Sequence, residues 1–95
     1  MTVIAIFRWK GDPDRLLAGY AREFRDPPSV AIQQPKRTLH ACAPTDDGMV
    51  IVDVWESEED LRAMLDDADF QKNLDDAGSS DPDSLEIWRV HASIP

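Results

Sequence analysis

Four short segments of the chain carry apolar residues in the arrangement that is typical of β-strands. The pattern predicts strands over residues 2–9, 38–44, 48–55 and 85–92. Between the second and the third lies Thr45-Asp46-Asp47-Gly48, a turn sequence that favours a β-hairpin. We therefore expect a sheet in which strands two and three are antiparallel neighbours.

The first helix is predicted between strands one and two. Asp12 is suited to the N-cap position, because its carboxylate can accept a free amide hydrogen of the first turn, and Pro13 is suited to the first helical position. The helix must end by Asp26, since two prolines follow. Its apolar side consists of residues at helical spacing, Leu16, Leu17, Tyr20, Ala21 and Phe24.

The second helix is predicted directly after strand three. Ser57 and Asp60 have the spacing of a capping box, with Asp in place of the more usual Glu. The sequence indicates a break at residues 66–69, after which a short helical piece ends at Gly78. The apolar positions are Leu61, Met64, Leu65 and Ala68, followed by Phe70, Leu74 and Ala77.

The order of elements is strand, helix, strand, strand, helix, strand. This order predicts one ferredoxin-like α+β domain over residues 1–95, with an antiparallel sheet and both helices on one face. The connection over residues 26–37 contains three prolines and is either a lid or an ordinary surface crossing. We favour the surface crossing.

Both faces of this sheet are predicted to be apolar. Val50, Val52 and Val54 of strand three point to one face, and Met49, Ile51 and Trp55 point to the other; strands one and four show the same division. Two helices can cover only one face. Because soluble monomers seldom expose a large apolar patch, we expect a homodimer that packs sheet against sheet.

The junction Asp53-Val54-Trp55-Glu56-Ser57-Glu58-Glu59, the strand order, the length and the segment around Phe70 resemble the dimeric α+β barrel superfamily. The most similar branch is the antibiotic-biosynthesis-monooxygenase-like group. The resemblance implies that the sheets of two subunits form a barrel. The superfamily includes cofactor-free monooxygenases that form quinones, and haem-degrading enzymes. Met64 and Leu74 stand where the haem-degrading branch carries Trp and His, which argues against haem degradation.

Composition limits the possible partners. The formal net charge is −9 and there is no basic stripe, so neither nucleic acid nor an anionic membrane surface is an expected partner. Cys42 is the single cysteine, which excludes an internal disulfide and fits a cytoplasmic protein. We find neither a signal peptide nor a membrane span. No phosphate-binding loop or paired-cysteine motif is present, so we expect no cofactor with a linear signature.

The candidate site is a pair across the hairpin. If Asp46 and Asp47 are the central turn residues, His40 lies opposite Asp53, whereas a three-residue loop would shift the register by one. A carboxylate in an apolar strand needs a partner, and His40 would be that partner. The pair is either a general base toward a phenol or a C–H next to a carbonyl, an anchor for a ligand, or a structural contact.

Other residues are weighed against this pair. Trp55, with Phe7 or Trp9, would supply an aromatic wall for a flat ligand, and Arg8 would hold an anionic group or reach water at the strand end. His91 has no ligand spacing that would predict a metal site.

Two functions remain open. The first is a homodimeric protein that binds a small aromatic or carbonyl compound, as a cofactor-free monooxygenase or isomerase. The second is a non-enzymatic assembly module with a filled interior. An empty cavity beside His40 would favour the first.

Overall fold

A four-stranded antiparallel sheet is the framework of the protein. The computed structural model describes residues 1–25, 34–79 and 81–94. The strands are β1 (Val3–Lys10), β2 (Arg37–Thr45), β3 (Gly48–Trp55) and β4 (Ser84–Arg89). Their order in the sheet is β2-β3-β1-β4, and all neighbours are antiparallel. This arrangement confirms the predicted ferredoxin-like α+β fold.

Helical segments connect the strands. Helix α1 (Pro13–Tyr20) continues directly into a π-helical segment (Ala21–Arg25), and the second helical region consists of α2 (Glu58–Leu65) and α3 (Ala68–Asp76). The break that the sequence predicted therefore divides two helices. Past α3, Gly78 adopts a φ of 74°, a left-handed conformation that glycine accepts without steric cost.

The predicted helix caps are confirmed. The Asp12 side chain accepts a hydrogen bond from the amide of Asp14, and Pro13 occupies the first position of α1. At α2, the amide of Asp60 donates to Ser57 Oγ, while the Ser57 hydroxyl donates to the Asp60 carboxylate. The shorter acid thus bonds to the capping hydroxyl rather than reaching the backbone as Glu would.

The helices cover one face of the sheet and form a single core with it. β1 and β3 turn alternate side chains to this face because successive residues of a strand point to opposite sides. The buried apolar side chains of the core are Val3, Ala5, Phe7, Trp9, Leu16, Phe24, Met49, Ile51, Trp55, Leu61, Met64, Phe70, Leu74 and Ala77.

The other face of the sheet carries no helix within the described part of the chain. Ile4 and Ile6 of β1 lie beside Val54 and Val52 of β3 on this face, and all four are only partly buried. Trp88 is 61% exposed and Leu39 is 48% exposed. The sequence prediction that the second sheet face is apolar is confirmed. We call this helix-free face of the sheet the open face.

The strand ends differ slightly from the predictions. β4 ends at Arg89, not at Ala92, because the amide of Val90 makes the last bond to Thr2 and the neighbouring strand has almost no residues left to pair. His91 therefore lies beyond the strand, exposed. The predicted surface crossing over residues 26–37 falls largely outside the described residues.

Candidate functional site

His40 and Asp53 form a directly opposed pair on β2 and β3. The hairpin pairs Thr45 with Gly48, Cys42 with Ile51 and His40 with Asp53, which is the register predicted for a two-residue turn. The distance between His40 Nδ1 and Asp53 Oδ1 is 2.6 Å. Both side chains point to the face that the helices cover, because Asp53 alternates in phase with Ile51 and Trp55. The sequence alone left this face undecided.

Asp53 is 2% exposed, yet both of its carboxylate oxygens have partners. Oδ1 accepts from His40, and Oδ2 accepts a hydrogen bond of 3.2 Å from the indole N–H of Trp55. The Arg37 guanidinium lies 4.0 Å from Oδ2, too far for a good hydrogen bond but close enough for a strong charge interaction at a buried position. These partners compensate for the water that the buried carboxylate has lost.

Tyr20 occupies the opposite side of the His40 ring. The distance between Tyr20 Oη and His40 Nε2 is 2.6 Å, and the two rings stack at 5.8 Å with an angle of 11°. A carboxylate can only accept, so the Nδ1–H of His40 donates to Asp53. In the neutral imidazole Nε2 then carries a lone pair, which accepts the Tyr20 O–H. The three residues form one hydrogen-bonded chain from Tyr20 to Asp53.

The position of Tyr20 is set by close packing of α1 against α3. A Cβ atom at Gly19 would lie 2.1 Å from the carbonyl oxygen of Ala77, so only glycine permits this approach. The Arg22 side chain donates to the carbonyl of Asp76 at 3.0 Å and holds the same two segments together. The π-helical segment begins directly after Tyr20 and brings Phe24 against its ring at 5.7 Å.

A narrow cavity lies beside the hydrogen-bonded residues Tyr20, His40 and Asp53, between the sheet and the helices. It has about 30 Å³ of space that the centre of a water molecule can occupy, which is enough for about two waters. The residues around it include Tyr20, Arg37, His40 and Asp53, but the surface that faces the cavity is almost entirely apolar. The rest of the lining is apolar, Phe7, Trp9, Phe24, Ile51, Met64, Phe70 and Leu74.

Arg37 is the cationic residue that the sequence reasoning missed. Its side chain is 8% exposed, and the guanidinium carbon lies 5.9 Å from the centre of the Trp55 ring. Burial lowers the pKa of Arg37, while the negative charge of Asp53 opposes that shift. Arg37 stands at the start of β2, ahead of an irregularity in pairing between Arg37 and Leu39, so simple strand alternation gave no signal for its direction.

The other predicted ligand-binding residues divide into two groups. Phe7 and Trp9 line the cavity, and their rings stack at 6.1 Å. Trp55 is 1% exposed. It does not line the cavity, but its indole N–H donates a hydrogen bond to Asp53. Arg8 is not brought to the site, because it alternates with Phe7 and Trp9 and is exposed on the open face, opposite Val50.

The remaining candidates lie outside the hydrogen-bonded chain. Cys42 faces the core on β2, and burial raises the pKa of its thiol to about 11.

Residues 1–25, 34–79 and 81–94 contain no group of three His, Cys, Asp or Glu side chains arranged to hold a metal ion. Within the same ranges, no helix has both the length and the apolar character needed to cross a bilayer.

The arrangement has the elements of a general base. Asp53 fixes the imidazole through Nδ1, and the lone pair of Nε2 is directed toward a hydroxyl at an apolar cavity. The positive charge of Arg37 lies close to the negative charge of Asp53, so the buried carboxylate has a cationic partner besides its hydrogen bonds.

Comparison with known proteins gives matches among solved structures. No protein-family model matches the chain, and neither does any curated protein. A protein assigned to the antibiotic biosynthesis monooxygenases, from Chloroflexus aurantiacus, is 17% identical with a TM-score of 0.71, and the match covers 100% of this chain and 98% of that one.

Two further structures extend this result. SnoaB, a cofactor-independent oxygenase from Streptomyces nogalater, is 18% identical with a TM-score of 0.69, over 99% of this chain and 95% of its own. A dimeric ferredoxin-like protein of unknown function from Thermobifida fusca is 18% identical with a TM-score of 0.56, over 94% and 89% of the two chains. Likeness at this level of identity establishes the fold. The chain therefore shares the ferredoxin-like α+β fold of the antibiotic-biosynthesis-monooxygenase-like proteins.

Proposed function

We propose that this protein is a homodimer that binds a small, largely apolar aromatic or carbonyl compound, and that His40 and Asp53 remove a proton from it without a cofactor. Proton removal would begin an oxygenation or an isomerisation. The ligand would carry one acidic O–H, or a C–H next to a carbonyl, toward His40 and Tyr20.

The observation that carries this proposal is the series of hydrogen bonds from Asp53 through His40 to Tyr20. A structural ion pair would need only one contact between His40 and Asp53. Here the far nitrogen of the imidazole is also hydrogen bonded, at 2.6 Å, to the hydroxyl of Tyr20, a residue that lines an apolar cavity. An imidazole that is oriented through one nitrogen and connected through the other to a residue of the cavity is an arrangement that general-base catalysis can use.

The charges around His40 support the same function. Protonation of Nε2 would create an imidazolium, which the buried Asp53 carboxylate 2.6 Å away stabilises. The ligand anion formed at the same time would lie at the end of the cavity that Arg37 lines. Transferring the proton from the ligand to His40 therefore leaves the total charge of the site unchanged.

The fold supports the cofactor-free class of reaction. SnoaB has the same fold and is a cofactor-independent oxygenase. In this protein His40 lies beside an apolar cavity, and an imidazole base needs no bound cofactor to remove a proton. The fold alone does not specify the reaction, and the proposal rests on the residues.

The size of the cavity favours a second candidate function. Space for about two waters is less than an aromatic ring needs, so the lining side chains must move before a flat ligand can enter. If they do not move, the interior is effectively filled. The protein would then be a non-enzymatic assembly module, in which His40 and Asp53 only join two strands.

The open face supports the homodimer. Its apolar residues extend over the three strands β1, β2 and β3, and Trp88 adds a large exposed ring from β4. A second copy of the same face would bury them through a two-fold interface. The dimeric ferredoxin-like protein from Thermobifida fusca shows that this fold is compatible with a dimer.

A melting-temperature screen separates the two functions. Nitrophenols, naphthols, quinones, flavins, haem and aromatic acids are tested against the wild-type chain, His40→Gln and His91→Gln. The proposal predicts that at least one phenol or quinone raises the melting temperature of the wild-type chain and of His91→Gln but not of His40→Gln. If no compound stabilises the wild-type chain, the assembly module is the better account.

A further inference from the structure

We propose that Tyr20 is a catalytic residue of this site and that its phenol oxygen, rather than His40 Nε2, takes the proton from the ligand. His40 and Asp53 then act through Tyr20. This inference rests on the proposed function, since it names the atom through which the proton is removed.

The first reason is that Nε2 of His40 is already engaged. Tyr20 Oη lies 2.6 Å from it, a short hydrogen bond, and the stacked rings hold the two groups in this geometry. A ligand that reached Nε2 directly would have to break this bond and separate the rings. A ligand that contacts Tyr20 Oη leaves the chain from Tyr20 to Asp53 intact.

The second reason is the location of Tyr20. Its side chain lines the cavity together with Phe7, Phe24 and Phe70; His40 lines the same cavity, but its Nε2 is bonded to the Tyr20 hydroxyl. The helix is held in place at the preceding residue, because Gly19 packs directly on the Ala77 carbonyl. The π-helical segment that starts at Ala21 is a kind of irregularity that is frequent at functional sites.

The proposed step transfers two protons in one direction. The acidic C–H or O–H of the ligand gives its proton to Tyr20 Oη, and the bonding electron pair remains on the ligand. The Tyr20 hydroxyl proton passes to His40 Nε2 at the same time. The products are a ligand anion, a neutral Tyr20 and an imidazolium paired with Asp53, so no oxidant or reductant is consumed.

The test is the ring opening of nitrobenzisoxazole, a flat aromatic compound whose ring C–H proton a base removes. The C–H electron pair becomes part of a nitrile, and the N–O bond breaks with its electron pair going to oxygen. The single product is a coloured cyano-substituted nitrophenolate. Rates are measured for the wild-type chain, Tyr20→Phe, His40→Gln and His91→Gln. Melting curves check that each variant is folded, and Tyr20→Phe removes a single oxygen atom.

If the proton passes through Tyr20 to His40, which we call the relay, Tyr20→Phe and His40→Gln should each lower kcat about 100-fold. KM should change little in Tyr20→Phe, and His91→Gln should match the wild-type chain. If Tyr20→Phe retains or raises kcat while His40→Gln loses it, His40 acts directly; the relay is then wrong and the proposed function stands. A wild-type rate no higher than that of His40→Gln contradicts the proposed function, and the relay with it.

Discussion

Asp53 and His40 face each other across the β2–β3 hairpin, with 2.6 Å between Asp53 Oδ1 and His40 Nδ1. The pair lies on the helix-covered face of the sheet, where Asp53 is almost entirely removed from water. A buried carboxylate is retained only with partners, and here these are His40, Trp55 and Arg37. The pair therefore connects the stability of the fold with the proposed chemistry of the cavity.

Replacing Asp53 with Asn should lower the stability of the protein. The amide keeps the size of the side chain but removes the charge that faces Arg37. Its NH₂ group only donates, so it cannot accept the hydrogen bond that one of the two carboxylate oxygens accepts. We expect the free energy of unfolding in urea to fall by about 1–3 kcal/mol. The exposed Asp46 in the turn is the matched control. Asp46→Asn should change the free energy of unfolding by less than about 0.5 kcal/mol. Equal effects of the two substitutions would contradict this view of Asp53.

The sequence predicted the fold because local signals and long-range pattern agreed. Asp12, Ser57 and Gly78 mark helix ends by local chemistry, and each acts at the position expected. The turn at Asp46 and Asp47 fixed the hairpin register, and with it the pairing of His40 with Asp53.

The rest of the site depends on tertiary packing. Tyr20 was predicted only as part of an apolar helix face, because nothing in the sequence shows that α1 crosses β2 beside His40. Arg37 precedes an irregularity in strand pairing, where the alternation rule fails. At Arg8 the alternation rule holds: because Phe7 and Trp9 point to the helix-covered face, the sequence already indicated that Arg8 points to the open face.

The hydroxyl of Tyr20 should protect His40 from chemical modification. Diethylpyrocarbonate reacts with an unprotonated imidazole nitrogen, and Tyr20 Oη covers Nε2 of His40 while Asp53 covers Nδ1. The exposed His91 is an internal reference in the same chain. In Tyr20→Phe, peptide mass spectrometry should show faster modification of His40 relative to His91. An unchanged ratio of the two rates would mean that the hydroxyl does not protect Nε2.

Cys42 should be unreactive at neutral pH despite its partial exposure. Burial raises the pKa of its thiol to about 11, and the thiolate is the reactive form. At pH 8, iodoacetamide should alkylate the folded chain roughly 100-fold more slowly than the urea-unfolded chain, whose thiol has a pKa of about 8.5. Because the folded chain holds this proton more tightly, raising the pH from about 8.5 to about 11 should also lower its stability. Equal alkylation rates in both states would contradict the assignment.

A charge at the centre of the open face should disrupt the homodimer. Val52 lies between Ile6 of β1 and Ala41 of β2, so Val52→Lys would place an ammonium group inside the proposed interface. Sedimentation should give twice the chain mass of 10.7 kDa for the wild-type chain and the single mass for the variant. Ala63→Lys, on the exposed side of α2, is the control and should remain dimeric. A monomeric wild-type chain would remove the proposed interface.

The central claim is that a small acidic compound binds beside His40, and imidazole NMR during a titration with nitrophenol tests it most directly. The chain has two histidines, so the resonances of His40 and His91 can be distinguished with one substitution. The account predicts that the His40 imidazole signals shift and saturate while those of His91 do not move. If the His40 signals stay unchanged, or if both histidines respond alike, the cavity beside His40 is not the binding site.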